Sequence, residues 1–439
     1  MTIDSLSLKD KLEPFIYEKL DKDKYEIIEK NPIELLTWNR LDLAFKLSYL
    51  DNKDRLNNLA EKVYYQDIKS QTLGSFEEFG NDEKSSFEKY IKDFEITYED
   101  IKNNGFDESK TLVPLSETGT IINGAHRVAS AIHLNEQITC INTKLPIMTC
   151  DYKYFYERNV SEDVLDIVTQ KFIEHAENTY IAFLWPSGKG SKNEAEDKFS
   201  NIVYKKKISL TPNGAFNLLY ELYKYMDWVG DKANGYKGIQ QKLIECFPFF
   251  EPFTIIVFQS ESLEKVREIK EEVRKIYNIG FSSIHITDTK EEAIRISRLI
   301  LHENGLHFLN YAKPNKIDFV KNKLNEFKSF IVNNNIESNE ILIDSSFVLS
   351  LYGLREAKDI DYLVVDNNKI KVLHGEYEEH DSELKYHESS KPKLIYDQAF
   401  YFWFDGLKFI NIREAIFYFL KTTKLYEPIR TIYRKARGR

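Results

Sequence analysis

The chain has 439 residues, 42% of them hydrophobic and 14% aromatic, and a formal net charge of −9. That length exceeds what one ordinary core organises, so two or three folded domains are expected. The negative balance excludes a nucleic-acid coat, which needs a basic surface to meet phosphate, and only residues 430–439 are clearly basic, reading as a solvated end.

Cys140, Cys150 and Cys246 have neither metal-ligand spacing nor an even disulfide count. A reducing, cytoplasmic setting fits them. No apolar run reaches membrane-spanning length and the N-terminus lacks a signal-peptide core, so the expected protein is at most peripheral to a membrane.

Residues 1–112 read as helical. Leu41, Phe45, Leu47 and Leu50 recur at near-helical spacing, and Arg40, Asp42 and Lys46 read as a solvated face. Gly74, Gly80 and the polar run 81–84 mark a loop before a helix over Phe87–Tyr98. Leu112–Leu115 and Thr120–Ile122 are short strands joined by Glu117-Thr118-Gly119, hence a hairpin. Asn123-Gly124-Ala125-His126-Arg127 then opens a helix. A strand, a glycine turn and a helix start make an anion seat, with His126 and Arg127 adding donors.

In the middle of the chain, Thr179–Trp185 reads as a strand, followed by the Gly/Lys turn Pro186–Ser191, a weak phosphate-loop pattern without the P-loop spacing. Phe253–Phe258 is a buried strand, Ser262–Tyr277 an amphipathic helix, Ser282–Asp288 a strand and Glu291–Leu301 a helix. That alternation predicts parallel pairing with a right-handed crossover. His285 is a candidate general base or ligand on the second strand, and Asp288 a helix cap. His302 and His307 lack zinc spacing.

A helix over Asp318–Asn334 leads to the segment richest in chemistry. The run Ile341–Ile343 meets Asp344-Ser345-Ser346. An apolar helical patch comes next, then Gly353-Leu354-Arg355, then Asp359-Ile360-Asp361 in a second apolar run. Residues i and i+2 of a strand share a face, so Asp359 and Asp361 together suit a hard divalent cation carrying phosphate oxygens. Asp397 is the expected third acid, with Asp405 its rival. The charged insert holding His374, His380 and His387 reads as a mobile surface. Tyr401–Phe404 and Leu407–Ile410 form a hairpin about Asp405-Gly406, and a last helix ends near Lys421.

Two resemblances rest on these motifs. Ser345, Ser346, Gly353, Arg355, Asp359 and Asp361 resemble, over about 25 residues, the minimal or antitoxin-like branch of the nucleotidyltransferase superfamily. The resemblance implies Mg²⁺ or Mn²⁺ on Asp359, Asp361 and Asp397, and a nucleoside triphosphate or nucleotide-activated donor held by Ser345, Ser346 and Arg355. The family has glycine where this chain has Ser345. Asn123, Gly124, His126 and Arg127 resemble the ParB/sulfiredoxin fold, whose loop grips nucleotide phosphates. Ala125 stands where sulfiredoxin chemistry needs cysteine, so sulfinic-acid reduction is not expected. No basic helix-turn-helix comes after the motif, so neither is DNA partitioning.

The expected architecture is therefore multidomain α/β (α+β). It comprises a helical and ParB/sulfiredoxin-like domain (1–150), a parallel α/β middle (151–315) and a nucleotidyltransferase-like domain (316–439). The layout resembles proteins of bacterial capsule and lipopolysaccharide loci. That implies a phosphoryl- or nucleotidyl-transferase acting on a small-molecule or glycan precursor, a sugar or polyol phosphate, with no nucleic-acid partner. The alternatives are a ParB-like ATP-dependent kinase with a degenerate C-terminal module, and a non-catalytic nucleotide-binding protein.

Overall fold

A computed structural model describes residues 2–77, 85–316, 319–371 and 375–422. Gly80, the run 81–84, Asp318, His374 and the basic end 430–439 lie outside the described residues. The protein is a multidomain α/β chain with three β-sheets. It divides into two compact units: one comprises Met1–Leu184, Gly188–Lys207 and Thr254–Ile294, the other Trp185–Ser187, Ile208–Phe253 and Arg295–Arg439.

Among the described residues, thirteen strands are numbered in chain order. They are β1 Thr2–Asp4, β2 Lys24–Lys30, β3 Val113–Ser116, β4 Ile138–Leu145, β5 Thr179–Leu184, β6 Ile202–Ile208 and β7 Phe253–Gln259. The others are β8 Ile284–Ile286, β9 Ile341–Asp344, β10 Ile360–Val364, β11 Tyr377–Glu379, β12 Tyr401–Phe404 and β13 Leu407–Ile410.

In the first unit, a four-stranded sheet runs β1-β2-β4-β3, with β3 and β4 parallel and the other pairs antiparallel. The N-terminal region is therefore not purely helical. In β2, Tyr25 is buried while Lys24 and Glu26 are exposed, the alternation of a half-buried strand, and this outweighs helix propensity once β4 lies alongside. The expected hairpin closes through Ser116 N to Thr120 O at 2.8 Å and Ile122 N to Pro114 O at 2.9 Å. The helix Asp42–Asn52 is buried from Asp42 to Leu50. Arg40, Asp42 and Lys46 are accordingly interior, not a solvated face: Arg40 grips Asp42 at 2.7 Å, and Lys46 meets Asp67 of the helix Asn57–Gln71 at 2.6 Å. Charges at such sites persist because each is paired.

The second sheet of this unit has the order β6-β7-β5-β8, and β5 is antiparallel to both β7 and β8. The expected parallel middle sheet is corrected here. The helix Leu263–Tyr277 does connect β7 to β8, which run in one direction, but β5 is inserted between them. A strand–helix–strand pattern fixes direction, while which strand takes the central place is decided by distant pairing. The Gly/Lys turn is a packing device. A Cβ at Gly188 would meet the Tyr277 ring at 2.6 Å, and one at Gly190 the Ile276 carbonyl at 2.1 Å. These glycines let the turn close on that helix.

In the second unit, a five-stranded mixed sheet runs β11-β10-β9-β13-β12. β10 is antiparallel to β9 and parallel to β11, β13 is parallel to β9, and β12 is antiparallel to β13. Positive φ at Asp405 and Gly406 turns the β12–β13 hairpin as their chemistry predicts. Lys408 on β13 is buried, donates to the Asn339 and Ile395 carbonyls and lies near the rings of Tyr396, Tyr401 and Trp403. Among the described residues, no helix is long and apolar enough to cross a membrane.

Candidate metal centre

Strand register builds this site. Asp361 on β10 lies opposite Asp344 on β9 and, on its other side, opposite Glu378 on β11. Residues in register share a face, and adjacent strands stand about 4.8 Å apart. Three carboxylates therefore line up across three strands. Repulsion in that row is offset by two imidazoles from the segment after β11.

His380 lies two residues beyond Glu378. Its Nε2 lies 3.3 Å from Asp361 Oδ1, and its Nδ1 lies 3.2 Å from Ser345 Oγ and 3.7 Å from Asp344 Oδ2. His387, whose side chain is 1% exposed, places Nε2 3.1 Å from Asp344 Oδ2 and Nδ1 3.8 Å from Glu414 Oε2. The Tyr418 ring stacks on His387 and tilts against His380. Asp344 is 0% exposed, and its Oδ1 accepts the Ser345 N–H at 2.6 Å.

Burial alone would raise the Asp344 carboxyl. His380 and His387 outweigh burial and hold it down at about 2. Burial would lower both imidazoles, yet Asp344 and Asp361 lift His380 to about 10, while Asp344 and Glu414 lift His387 to about 9. The reading of this insert as mobile surface is thus corrected for His380 and His387. The carboxylate row draws them in.

The His387 shift carries a prediction. A folded-state value above the unfolded 6.5 stabilises fully below pH 6.5, and that stabilisation is lost as pH rises through about 9. The contribution is on the order of 3 kcal/mol. Urea titrations at pH 6 and pH 9.5 should show the midpoint falling in the wild type, and falling less in His387→Gln. An equal fall in both would show that His387 does not carry it.

Asp361, Glu378 and His380 bring one ligand atom each within 4.8 Å of one another, the metal-competent group found among the described residues. Asp361 and His380 are buried and Glu378 is exposed, so the group opens to solvent on the β11 side.

Of the residues singled out from sequence, Asp361 is in the group. Asp359 is not: it sits in a bend before β10, half-buried. Asp397 is not, because it ends the helix Lys391–Tyr396 and its Oδ1 accepts the Ala399 N–H at 3.0 Å. Asp405 is held by Lys224 at 3.1 Å and also by Lys328. Of the expected Asp359–Asp361–Asp397 set, the structure thus groups Asp361 alone with other ligand-type side chains, Glu378 and His380. Ser345 takes φ +56° and ψ −131°, a conformation that favours glycine, where the resembled family has glycine. Ser346 begins a helix of six residues. Arg355 is exposed, with its guanidinium 5.5 Å from the Phe419 ring.

The N-terminal motif is tied to its own unit. Gly124 has φ +87° and caps the helix Ala125–Leu134, with its N–H turned to Asn123 Oδ1. His126 Nε2 lies 2.7 Å from the Tyr64 hydroxyl, and its ring packs against Phe94 at 4.7 Å. Arg127 donates to Glu13 at 2.7 Å and to Thr111. Both side chains expected to meet phosphate are thus engaged. His285, on β8 of the same unit, faces Glu292 at 3.2 Å, and Glu292 also accepts the Asp288 N–H at 2.8 Å.

No family model matches this chain, and no curated protein or solved structure matches it.

Glu378 and His380 were not singled out as ligands from the sequence. The signal was there: Glu378-Glu379-His380 repeats the i, i+2 spacing that singled out Asp359 and Asp361.

Proposed function

We propose that the C-terminal sheet holds a divalent cation on Asp361, Glu378 and His380, and that the protein is a cation-dependent phosphoryl- or nucleotidyl-transferase. The observation that carries the reading is the convergence of those three ligand atoms within 4.8 Å at an edge open to solvent. Two carboxylates and one imidazole suit Mn²⁺ at least as well as Mg²⁺. A bound cation supplies charge neutralisation to phosphate oxygens. The protein's part is to hold the carboxylates in register and to exclude water from the His380 side, which Tyr418 covers. The sequence resemblance favours a nucleoside triphosphate as donor and a hydroxyl of a surface-glycan precursor as acceptor. Arg127 is bound to Glu13, which speaks against an N-terminal kinase centre.

The test is metal removal. Protein stripped with chelator should bind Mn²⁺ saturably, as monitored by electron paramagnetic resonance. It should consume a nucleoside triphosphate only once Mn²⁺ or Mg²⁺ is restored. Absence of saturable binding at millimolar Mn²⁺ would end the reading, and chelator-insensitive turnover would move the chemistry elsewhere.

A further inference from the structure

The two ring nitrogens of His380 face different surroundings. Nε2 looks toward Asp361 Oδ1 at 3.3 Å, and Asp361 and His380 group with Glu378. Nδ1 looks inward, to Ser345 Oγ at 3.2 Å and the Asp344 carboxylate at 3.7 Å. Asp344 cannot turn away: Oδ1 is held by the Ser345 N–H and Oδ2 faces His387 Nε2 at 3.1 Å. It is also the strand residue directly across from Asp361, so its position is set by the same backbone pairing that sets Asp361. Ser345 in turn keeps a backbone conformation that favours glycine, which keeps both its N–H and its Oγ within this arrangement.

We infer that Asp344 is a positioning residue: with Ser345 it holds Nδ1 of His380 as the protonated nitrogen, leaving Nε2 as a nitrogen ligand for a first-row divalent cation. The inference rests on the cation-site reading above and deepens it. A histidine that ligates a metal needs its other ring nitrogen oriented, and a buried carboxylate does this while raising ligand basicity. A nitrogen ligand beside two carboxylates also ranks cations. Mn²⁺ and Zn²⁺ accept imidazole readily, whereas Mg²⁺ prefers an all-oxygen shell. The site should therefore take Mn²⁺ or Zn²⁺ more tightly than Mg²⁺.

Wild type, Asp344→Asn and His380→Gln should be loaded with Mn²⁺ and measured by pulsed electron paramagnetic resonance. Wild type should show nitrogen hyperfine coupling, and His380→Gln should lose it. Asp344→Asn keeps an oxygen for the Ser345 N–H but turns an amide toward His380. It should weaken Mn²⁺ binding by roughly 10- to 100-fold and diminish the coupling. A merely structural role would lower stability and leave the coupling intact. Should Asp344→Asn fail to fold, histidine-selective NMR of the Zn²⁺-loaded wild type gives the same answer: Nδ1 of His380 protonated and Nε2 metallated.

The outcomes separate. Wild type binding no cation overturns this inference and the cation reading together. Saturable binding without nitrogen coupling, a metallated Nδ1, or an Asp344→Asn protein within threefold of wild type with its coupling intact, overturns this inference and leaves the carboxylate reading standing.

Discussion

Asp361→Asn should reduce Mn²⁺ affinity by more than the roughly 10- to 100-fold typical of losing an outer partner, and nucleotide turnover should fall with it. Asp361 is the one residue shared by the set expected from sequence and the set that strand pairing assembles. The comparison that decides between them is Glu378→Gln against Asp397→Asn. If pairing assembles the site, Glu378→Gln weakens binding and Asp397→Asn leaves it within about threefold, since Asp397 is occupied by the Ala399 N–H. The opposite ranking would restore the sequence-derived set. Asp361→Asn is isosteric and relieves like-charge repulsion from Asp344 and Glu378 across the strands, but it also gives up the charge that pairs with His380 Nε2 at 3.3 Å. Thermal unfolding of metal-free protein separates the two effects: the expected midpoint is lower than wild type, and Mn²⁺ affinity is compared at a temperature where both proteins are folded.

Asp361 was legible because the i, i+2 rule is local, although Asp359, its expected partner, falls in the bend before β10 and outside the group. Glu378 and His380 were hidden for the opposite reason. They reach Asp361 only through parallel pairing of β10 with β11, across an intervening polar stretch whose charge reads as surface. The same limit explains the middle sheet, where β5 is inserted between β7 and β8. There the local alternation of strands and helices was legible and the strand order was not. In β2 the failure was of a different kind. The alternation Lys24-Tyr25-Glu26-Ile27 is a local strand signal, masked by the helical periodicity of the longer segment from Leu41 to Tyr98. Ser345 shows the reverse. Its departure from the glycine of the resembled family falls on a backbone position with φ +56°, so the departure marks where strain is stored.

Arg40→Met should destabilise the first unit by about 3–5 kcal/mol, the cost of leaving a buried carboxylate without its partner. Arg40, Asp42, Lys46 and Asp67 form a buried quartet with two charges of each sign. Removing Arg40 leaves Asp42 and Asp67 to share Lys46, which lies 3.6 Å from one and 2.6 Å from the other. Lys46→Met combined with Asp67→Leu removes one charge of each sign and keeps the Arg40–Asp42 pair. That double change should be near neutral, because a buried pair exchanged whole for apolar groups loses little. Acidity adds a second handle. Burial pushes the Asp67 carboxyl up to about 6, above the 3.8 of an unfolded aspartate. Between those values the folded chain holds more protons than the unfolded one, so this residue's contribution falls as pH rises from about 4 to 6 and is flat above. The double variant should lose that slope. Because two units need not unfold together, amide hydrogen exchange in the helix Asp42–Asn52 is the proper readout, not a single melting curve. If Arg40→Met proves as mild as the double variant, water reaches these charges and the interior of this unit is wetter than its packing implies.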